Sequence, residues 1–355
     1  MAARSSSKAF LEKTGQSFMS PEEGADHFIR ELWAGFPENE VVFCDELPAL
    51  DLDRILPAKA NLSQWYRLES ITQHKPLISK VIEFRSPNFI VVEREIHASE
   101  AFLSEHRMGA VPILPAVAGL EMMLETLSLT PGDWTLADVK IEHPLKVKEG
   151  TSASVRVILE GENLRVVASA RKPDGVMLEP ERVHLRAKRV ARKSLTHHEI
   201  PLFMGQSSPF PYPSKVDRTP GSKLMFHGDA FRCLEGVTEN EYGGVAQLFV
   251  PPVEALVKGS IRDQWSINSA LVDGCLQAAG LLGRIKYSLS ALPIGFGRID
   301  VHPRSIHSIG KRAWLDVVIK ETTDSQLVSD LSLIGEEGPM VQIESYRSQV
   351  IKGVR

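Results

Sequence analysis

The chain has 355 residues, too many for one ordinary hydrophobic core, and its 43% hydrophobic and 24% charged residues describe a globular protein rather than a disordered or fibrous one. A formal net charge of −4 is too small to argue for a nucleic-acid or membrane surface. Three isolated cysteines, Cys44, Cys233 and Cys275, make neither a disulfide framework nor a zinc-binding spacing, which fits a reducing cytoplasm.

The polar N-terminus has no apolar core of the signal-peptide kind. Ser20-Pro21-Glu22-Glu23 is a helix start, with a capping serine, proline at the first position and glutamate in the capping-box position. Ala25, Phe28, Ile29, Leu32 and Trp33 follow at helical spacing, and Val41-Val42-Phe43-Cys44 reads as a short strand. Residues 1–60 therefore form an N-terminal segment with its own character, and residues 46–74 look like linker.

Strand patterns begin near residue 76. The runs 77–84 and 89–96 flank Ser86-Pro87-Asn88, a hairpin signature. Next comes His106, then Gly109, Ala110, Pro112 and Pro115, and an apolar helical run to about Leu129. Pro115 suits the first turn of a helix, whose free N–H groups and positive dipole end favour developing negative charge. Taken alone, a histidine ahead of a helix is more often structural than catalytic. The apolar stretch from Gly109 to Leu124 holds two prolines and Glu121, so it reads as a core element and not as a membrane span. Four strand-like runs follow, near 134–147, 152–160, 163–171 and 181–190, and close a first unit over residues 75–190. Residues 191–222, with Pro209, Pro211, Pro213 and Pro220, form a linker.

The same element order returns in a second unit, residues 223–352: strands over 231–250, a helix from about Ile267 to Tyr287, then strands to the end. Each unit is a sheet wrapped around one long apolar helix, an α+β arrangement with two consecutive copies. The second helix carries Asp273 and Gln277, four residues apart and hence on one face. A carboxyl in such an apolar helix serves either as a structural hydrogen-bond acceptor or as an acid kept protonated by desolvation, with Gln277 orienting it. Phe226-His227-Gly228-Asp229-Ala230-Phe231 sets a glycine between aromatics, either a plain turn or a close approach of backbone to ligand.

In order and spacing these stretches resemble the dehydratase domain of type I polyketide synthases over roughly residues 75–350. His106 and Pro115 hold the ends of that family's His-x-x-x-Gly-x-x-x-x-Pro motif, Asp273 and Gln277 match its Asp-x-x-x-Gln/His motif, and Phe226 to Phe231 loosely match its Gly-Tyr-Gly-Pro-x-Phe motif. Ala291-Leu292-Pro293-Ile294-Gly295 resembles the step after the second helix. Ala110 stands where the family glycine is expected, with Gly109 one place early; His227 replaces a tyrosine and Asp229 a proline. Residues 1–60 resemble the last helix and strand of a ketoreductase domain.

The resemblance implies a double-hotdog fold and a hydro-lyase that removes water from a β-hydroxyacyl thioester in polyketide or polyketide-like fatty acid synthesis. His106 would be the base at the α-carbon and Asp273 the acid at the β-hydroxyl. Gln277, Gly109, Ala110, Pro115, Phe226, His227 and Gly228 would support them or line the substrate path. It implies no metal and no organic cofactor: the substrate would arrive on the phosphopantetheine of an acyl carrier protein. Neighbouring synthase domains, including a ketoreductase upstream, would be partners, and such synthases are commonly dimeric. The same dyad also suits a thioester hydrolase, a double-bond isomerase or a cyclase, and the fold alone suits a non-catalytic docking module. Among other chemistries, His-Glu-x-x-His, Gly-x-Ser-x-Gly and a phosphate loop are absent from the sequence. His197, His198, His302 and His307 read as solvated rather than as metal ligands. The basic run from Arg182 to Lys193 reads as a solvated strand edge, with docking of an acidic carrier protein as the other reading.

Overall fold

The computed structural model describes residues 70–171, 177–196, 199–201 and 226–351, with Arg67, Leu68 and seven residues between Ser20 and Ile29. The chain divides into two compact units, residues 1–59 and 60–355. In the first, the described residues from Glu22 to Ile29 are helical, and the Gly24 N–H donates to the Ser20 carbonyl at 2.9 Å. The expected strand at Val41–Cys44 and most of the ketoreductase-like stretch lie outside the described residues.

The second unit opens with β1 (Lys80–Ser86) and β2 (Phe89–His97), followed by a short α1 (Ala101–Ser104). A small hairpin, β3 (Arg107–Met108) and β4 (Val111–Pro112), leads into α2 (Ala116–Leu127). Then come β5 (Trp134–Ile141), β6 (Ser152–Glu160), β7 (Asn163–Arg171) and β8 (Met177–Ala191). After the linker the chain forms β9 (Leu234–Glu239), β10 (Gly243–Phe249), α3 (Ser269–Tyr287) and β11 (Ala291–Val301). A short α4 (Arg304–His307) precedes β12 (Arg312–Thr322), β13 (Gln326–Gly335) and β14 (Gly338–Val350).

Twelve of these strands form one antiparallel sheet in the order β1-β2-β6-β7-β8-β5-β11-β14-β13-β12-β10-β9. Read inward from either edge, the halves follow the same plan: a hairpin, a helix, the strand that will lie at the seam, then three strands filling the gap. The repeat in element order is thus a repeat in topology. β5 and β11 form the seam, pairing Val139 with Phe296 and Leu136 with Ile299. Alternation explains which face is covered: in β6, Ala153, Val155, Val157 and Leu159 point inward while their neighbours are half-exposed. α2 packs on β5 to β8, and α3 on β9, β10, β11 and β13. Eleven of the twelve α2 residues are buried, so this helix is the centre of its half.

The helix ends are fixed by local chemistry. Pro115 is the residue just ahead of the first helical turn rather than within it, and its carbonyl accepts from the Ala118 N–H at 3.0 Å. α3 starts at Asn268, whose side-chain oxygen accepts from the Leu271 N–H while its amide donates to the Pro251 carbonyl. It ends at Ser288 in the left-handed conformation, φ 56°. At Gly274 a Cβ would come within 2.1 Å of Cys233 Sγ, so the absent side chain lets α3 lie against the segment entering β9.

The basic run differs from the expectation of a sheet edge. β8 lies inside the sheet, between β7 and β5. Its cations are partly engaged: Arg186 with Glu142 at 2.9 Å and Lys188 with Asp138 at 3.0 Å, while just beyond β8 Arg192 meets Asp133 at 2.8 Å.

Two fully buried carboxyls on α2 tie the helix to its surroundings. Glu121 accepts from the Ser266 and Ile267 N–H groups at 2.6 and 2.9 Å, and Glu125 accepts from the Leu77 N–H at 3.1 Å on both oxygens. Burial pushes Glu121 up to about 7, and burial with the neighbouring Glu121 charge pushes Glu125 well above the ordinary glutamate range. One proton is therefore held on Glu125, which hydrogen-bonds Glu121. Glu121→Gln would turn an amide N–H₂ toward one of two backbone N–H groups. The expected loss is about 1–3 kcal/mol, the cost of one unsatisfied buried donor, read as a lower urea midpoint with unchanged slope.

Candidate active site

His106 is set by the turn between α1 and the β3–β4 hairpin. Its backbone carbonyl accepts from the Ile113 N–H at 3.0 Å, and its ring Nδ1 lies 2.8 Å from the Ile113 carbonyl. A carbonyl can only accept, so Nδ1 carries the hydrogen and Nε2 the lone pair. Burial drives the His106 imidazole down to about 4, against the opposing pull of the Asp273 charge, so the ring is neutral at physiological pH.

Asp273 enters from α3 in the other half. Its Oδ2 accepts from Gln277 Nε2 at 2.7 Å and lies 3.2 Å from His227 Nε2. Gln277 is itself anchored, donating to the Phe231 carbonyl at 3.1 Å. Among the described residues no protein donor is held by Oδ1, and none meets His106 Nε2. Here the geometry departs from the sequence expectation. Burial alone would raise the Asp273 carboxyl, but attraction to His227 and His106 and two hydrogen bonds outweigh it and hold the group below the ordinary aspartate range. The expected protonated resting acid is therefore a carboxylate. Two buried thiols near it, Cys233 and Cys275, are raised by burial and stay neutral.

The loop before β9 closes the arrangement. His106 and His227 form an isolated antiparallel bridge between the two halves. Phe226 stacks on the His227 ring at 4.3 Å and meets the His106 ring edge-on at 5.0 Å, and Phe231 lies 5.7 Å from His106. Gly228 sits so close to Glu105 that a Cβ would overlap its carboxylate, 1.6 Å from Oε2. The Gly228 N–H donates to the Glu105 carbonyl at 2.7 Å and the Asp229 N–H to Oε2 at 2.9 Å. The close backbone approach at Gly228 is thus made to Glu105, the neighbour of His106.

His106, Asp273, Gln277, Phe226, His227 and Gly228 come together. Gly109 and Ala110 are instead the tip of the β3–β4 hairpin, Gly109 at φ 64° and Ala110 exposed. Pro115 is buried just ahead of α2. Sequence reading missed Glu105, which carries no motif, and the pairing of His227 with Asp273. The signal for the second was the histidine standing where the family has tyrosine. Among the described residues, His106, His227 and Asp273 are also the group whose ligand-capable atoms converge, all within 4.8 Å. Within that group His227 Nε2 and Asp273 Oδ2 engage each other at 3.2 Å. His302 is elsewhere, its Nδ1 accepting from the Arg304 N–H at 3.1 Å, and His307 lies 3.8 Å from Asp263. His197 and His198 lie outside the described residues.

A histidine lowered on folding loses stability for the protein in acid. Between the ordinary value of 6.5 and about 4, the unfolded chain binds a proton that the folded chain refuses, so stability drops as pH falls through that window. Glu121 has the opposite slope, so the readout is a difference. The unfolding free energy of the wild type minus that of His106→Gln should fall by roughly 3 kcal/mol from the upper to the lower end of the window, measured by urea titration at a series of pH values.

Comparison with known proteins agrees with this architecture. The family model described as polyketide synthase dehydratase domain matches residues 74–171, and that described as polyketide synthase dehydratase N-terminal domain matches residues 214–354. Among solved structures, the dehydratase domain from the CurJ module of curacin polyketide synthase is similar at 16% identity and TM-score 0.58, covering 79% of this chain and 98% of that one. GphF dehydratase 1 gives 18% and 0.58, over 78% and 98%. The dehydratase domain of PpsC from Mycobacterium tuberculosis, solved with C12:1-CoA, gives 18% and 0.55, over 78% and 99%. No helix among the described residues is long and apolar enough to cross a membrane. The fold is the double hotdog, and the chain belongs to the polyketide synthase dehydratase family.

Proposed function

We propose that the chain dehydrates a β-hydroxyacyl thioester, with His106 as the base at the α-carbon and Asp273 as the group that delivers a proton to the departing hydroxyl. The observation that carries this reading is the convergence of a neutral imidazole from one half with a carboxylate from the other, their polar atoms within 4.8 Å. The tautomer supports it as well. With Nδ1 given to the Ile113 carbonyl, the free lone pair is on Nε2, where a base needs it. Charge that builds on the thioester oxygen needs donors aimed at it. The Ala116 and Val117 N–H groups in the first turn of α2 suit that task, since Ala118 and Gly119 bond back to Pro115.

No metal and no organic cofactor enters this chemistry; the thioester is carried on the phosphopantetheine of an acyl carrier protein, and the chain works beside other synthase domains, a ketoreductase upstream among them. A homodimer and a cytoplasmic setting accompany the same reading. The same reading takes a first hotdog over 75–190, a linker over 191–222 and a second hotdog over 223–352. Double-bond isomerisation is the second reading, favoured by one fact. A GphF dehydratase domain with this fold is described with an isomerase-inactive variant, and the same base would serve.

Incubation with a β-hydroxyacyl pantetheine thioester separates the outcomes by product mass. Loss of water is expected, undiminished after dialysis against a chelator; a shifted double bond with no change of mass supports isomerisation, and free acid supports hydrolysis. His106→Ala should lower the dehydration rate by at least about a hundredfold with the far-UV circular dichroism unchanged. A variant as active as wild type would remove His106 from the mechanism.

A further inference from the structure

Elimination needs an acid, and the carboxyl facing the substrate is an anion at rest. We propose that His227 supplies the proton that Asp273 passes to the departing hydroxyl, so that the acid is the Asp273–His227 pair and not Asp273 alone. This rests on the dehydratase reading and deepens it. Geometry carries the argument. His227 Nε2 lies 3.2 Å from Asp273 Oδ2, both side chains are buried, and the contact joins a loop to a helix.

The two histidines differ in a telling way. His106 has its Nδ1 committed to a carbonyl, which fixes its tautomer. His227 Nδ1 is buried without a hydrogen-bond partner, so Asp273 is the polar partner of its ring. An imidazolium held through one nitrogen by one carboxylate can give a proton there and take it back, with no second bond to break. The charged or titratable groups in contact with the His227 loop are His106, whose ring centre is 5.3 Å away, Glu105, Asp229 and Arg232, while Cys233, Cys275 and Tyr346 lie near Asp273 and are raised by burial. Glu105 is occupied with the Asp229 N–H. Arg232 donates to the His227 backbone carbonyl and pairs with Asp229 at 2.9 Å. None of these reaches the Asp273 carboxylate through a hydrogen bond or ion pair, so His227 is the proton source beside it.

The step balances without an outside reactant. His106 Nε2 takes the α-proton, the C–H electron pair becomes the new Cα=Cβ bond, and the Cβ–O bond breaks with its pair on oxygen. In the proposed reacting state His227 is the imidazolium, with a hydrogen on each ring nitrogen; the proton on Nε2 crosses to the Asp273 carboxylate and from there to that oxygen, Nδ1 keeps its hydrogen, and water leaves. The pair is then a carboxylate and a neutral imidazole beside a protonated His106, and solvent returns the proton from His106 to the pair. Nothing is oxidised or reduced.

A leaving group that departs without a proton isolates this role. His227→Gln keeps a donor for Asp273 but has no proton to release. With a β-hydroxyacyl pantetheine thioester its elimination rate should fall about a hundredfold, the usual weight of a general acid. With the matching β-fluoroacyl thioester, whose fluoride leaves as an anion, it should stay within about threefold of wild type. His106→Ala should lose both reactions, since both need the base. Equal losses of His227→Gln on the two substrates would reduce His227 to packing and overturn the proposal, as would full activity on the hydroxy substrate. A wild type inert toward both thioesters would instead overturn the dehydratase reading, and the proposal with it.

Discussion

Two buried side chains on separate halves of a chain, His106 and Asp273, stay together only if the halves cannot slide. The seam between β5 and β11 sets the register, and a one-residue slip there would turn every inward side chain outward. Glu121 adds a lock perpendicular to the sheet. From the middle of α2 it holds two backbone N–H groups just ahead of α3, so the helix that follows His106 and the helix that carries Asp273 share one anchor. A buried carboxylate is costly, and this one is offset by two backbone donors and by the proton on Glu125.

Around the site, burial acts with opposite outcomes on two groups. It strips His106 of its proton because no hydrogen bond favours the imidazolium strongly enough. It fails to protonate Asp273 because His227 and Gln277 stand against the carboxylate. The same low-polarity environment therefore yields a neutral imidazole and an ionised carboxyl. The difference comes from hydrogen-bond partners and not from depth, since both side chains are buried.

Much of this was legible in the sequence. The strand pairs at β6 and β7, the span of α3 and the order of elements all follow from alternation, apolar runs and turn residues, which are local signals. His106 and Asp273 were legible as a pair only through their order along the chain. What could not be read is non-local. Nothing in Glu121 and Glu125 announces that they accept from Ser266, Ile267 and Leu77 rather than facing water. The ionised state of Asp273 depends on His227, which belongs to a different loop, and a helix-face argument cannot see it. The interior position of β8 is likewise a property of the whole sheet, invisible in a run of arginines and lysines.

The mirrored strand order bears on how the molecule is made. Each half pairs mainly within itself, so the N-terminal half can assemble its hairpins and helix while the remainder is still being synthesised. At that stage it holds His106 with the Ile113 carbonyl in place, yet lacks any acid, any anchor for Glu121 and any partner for the open side of β5. The nascent chain would carry a half-domain with an unpaired strand edge, a site where a chaperone or a mispaired second chain could bind. The meeting of His106 with Asp273 would then appear all at once, when β11 docks, making their proximity itself a reporter that the last strand register has been found.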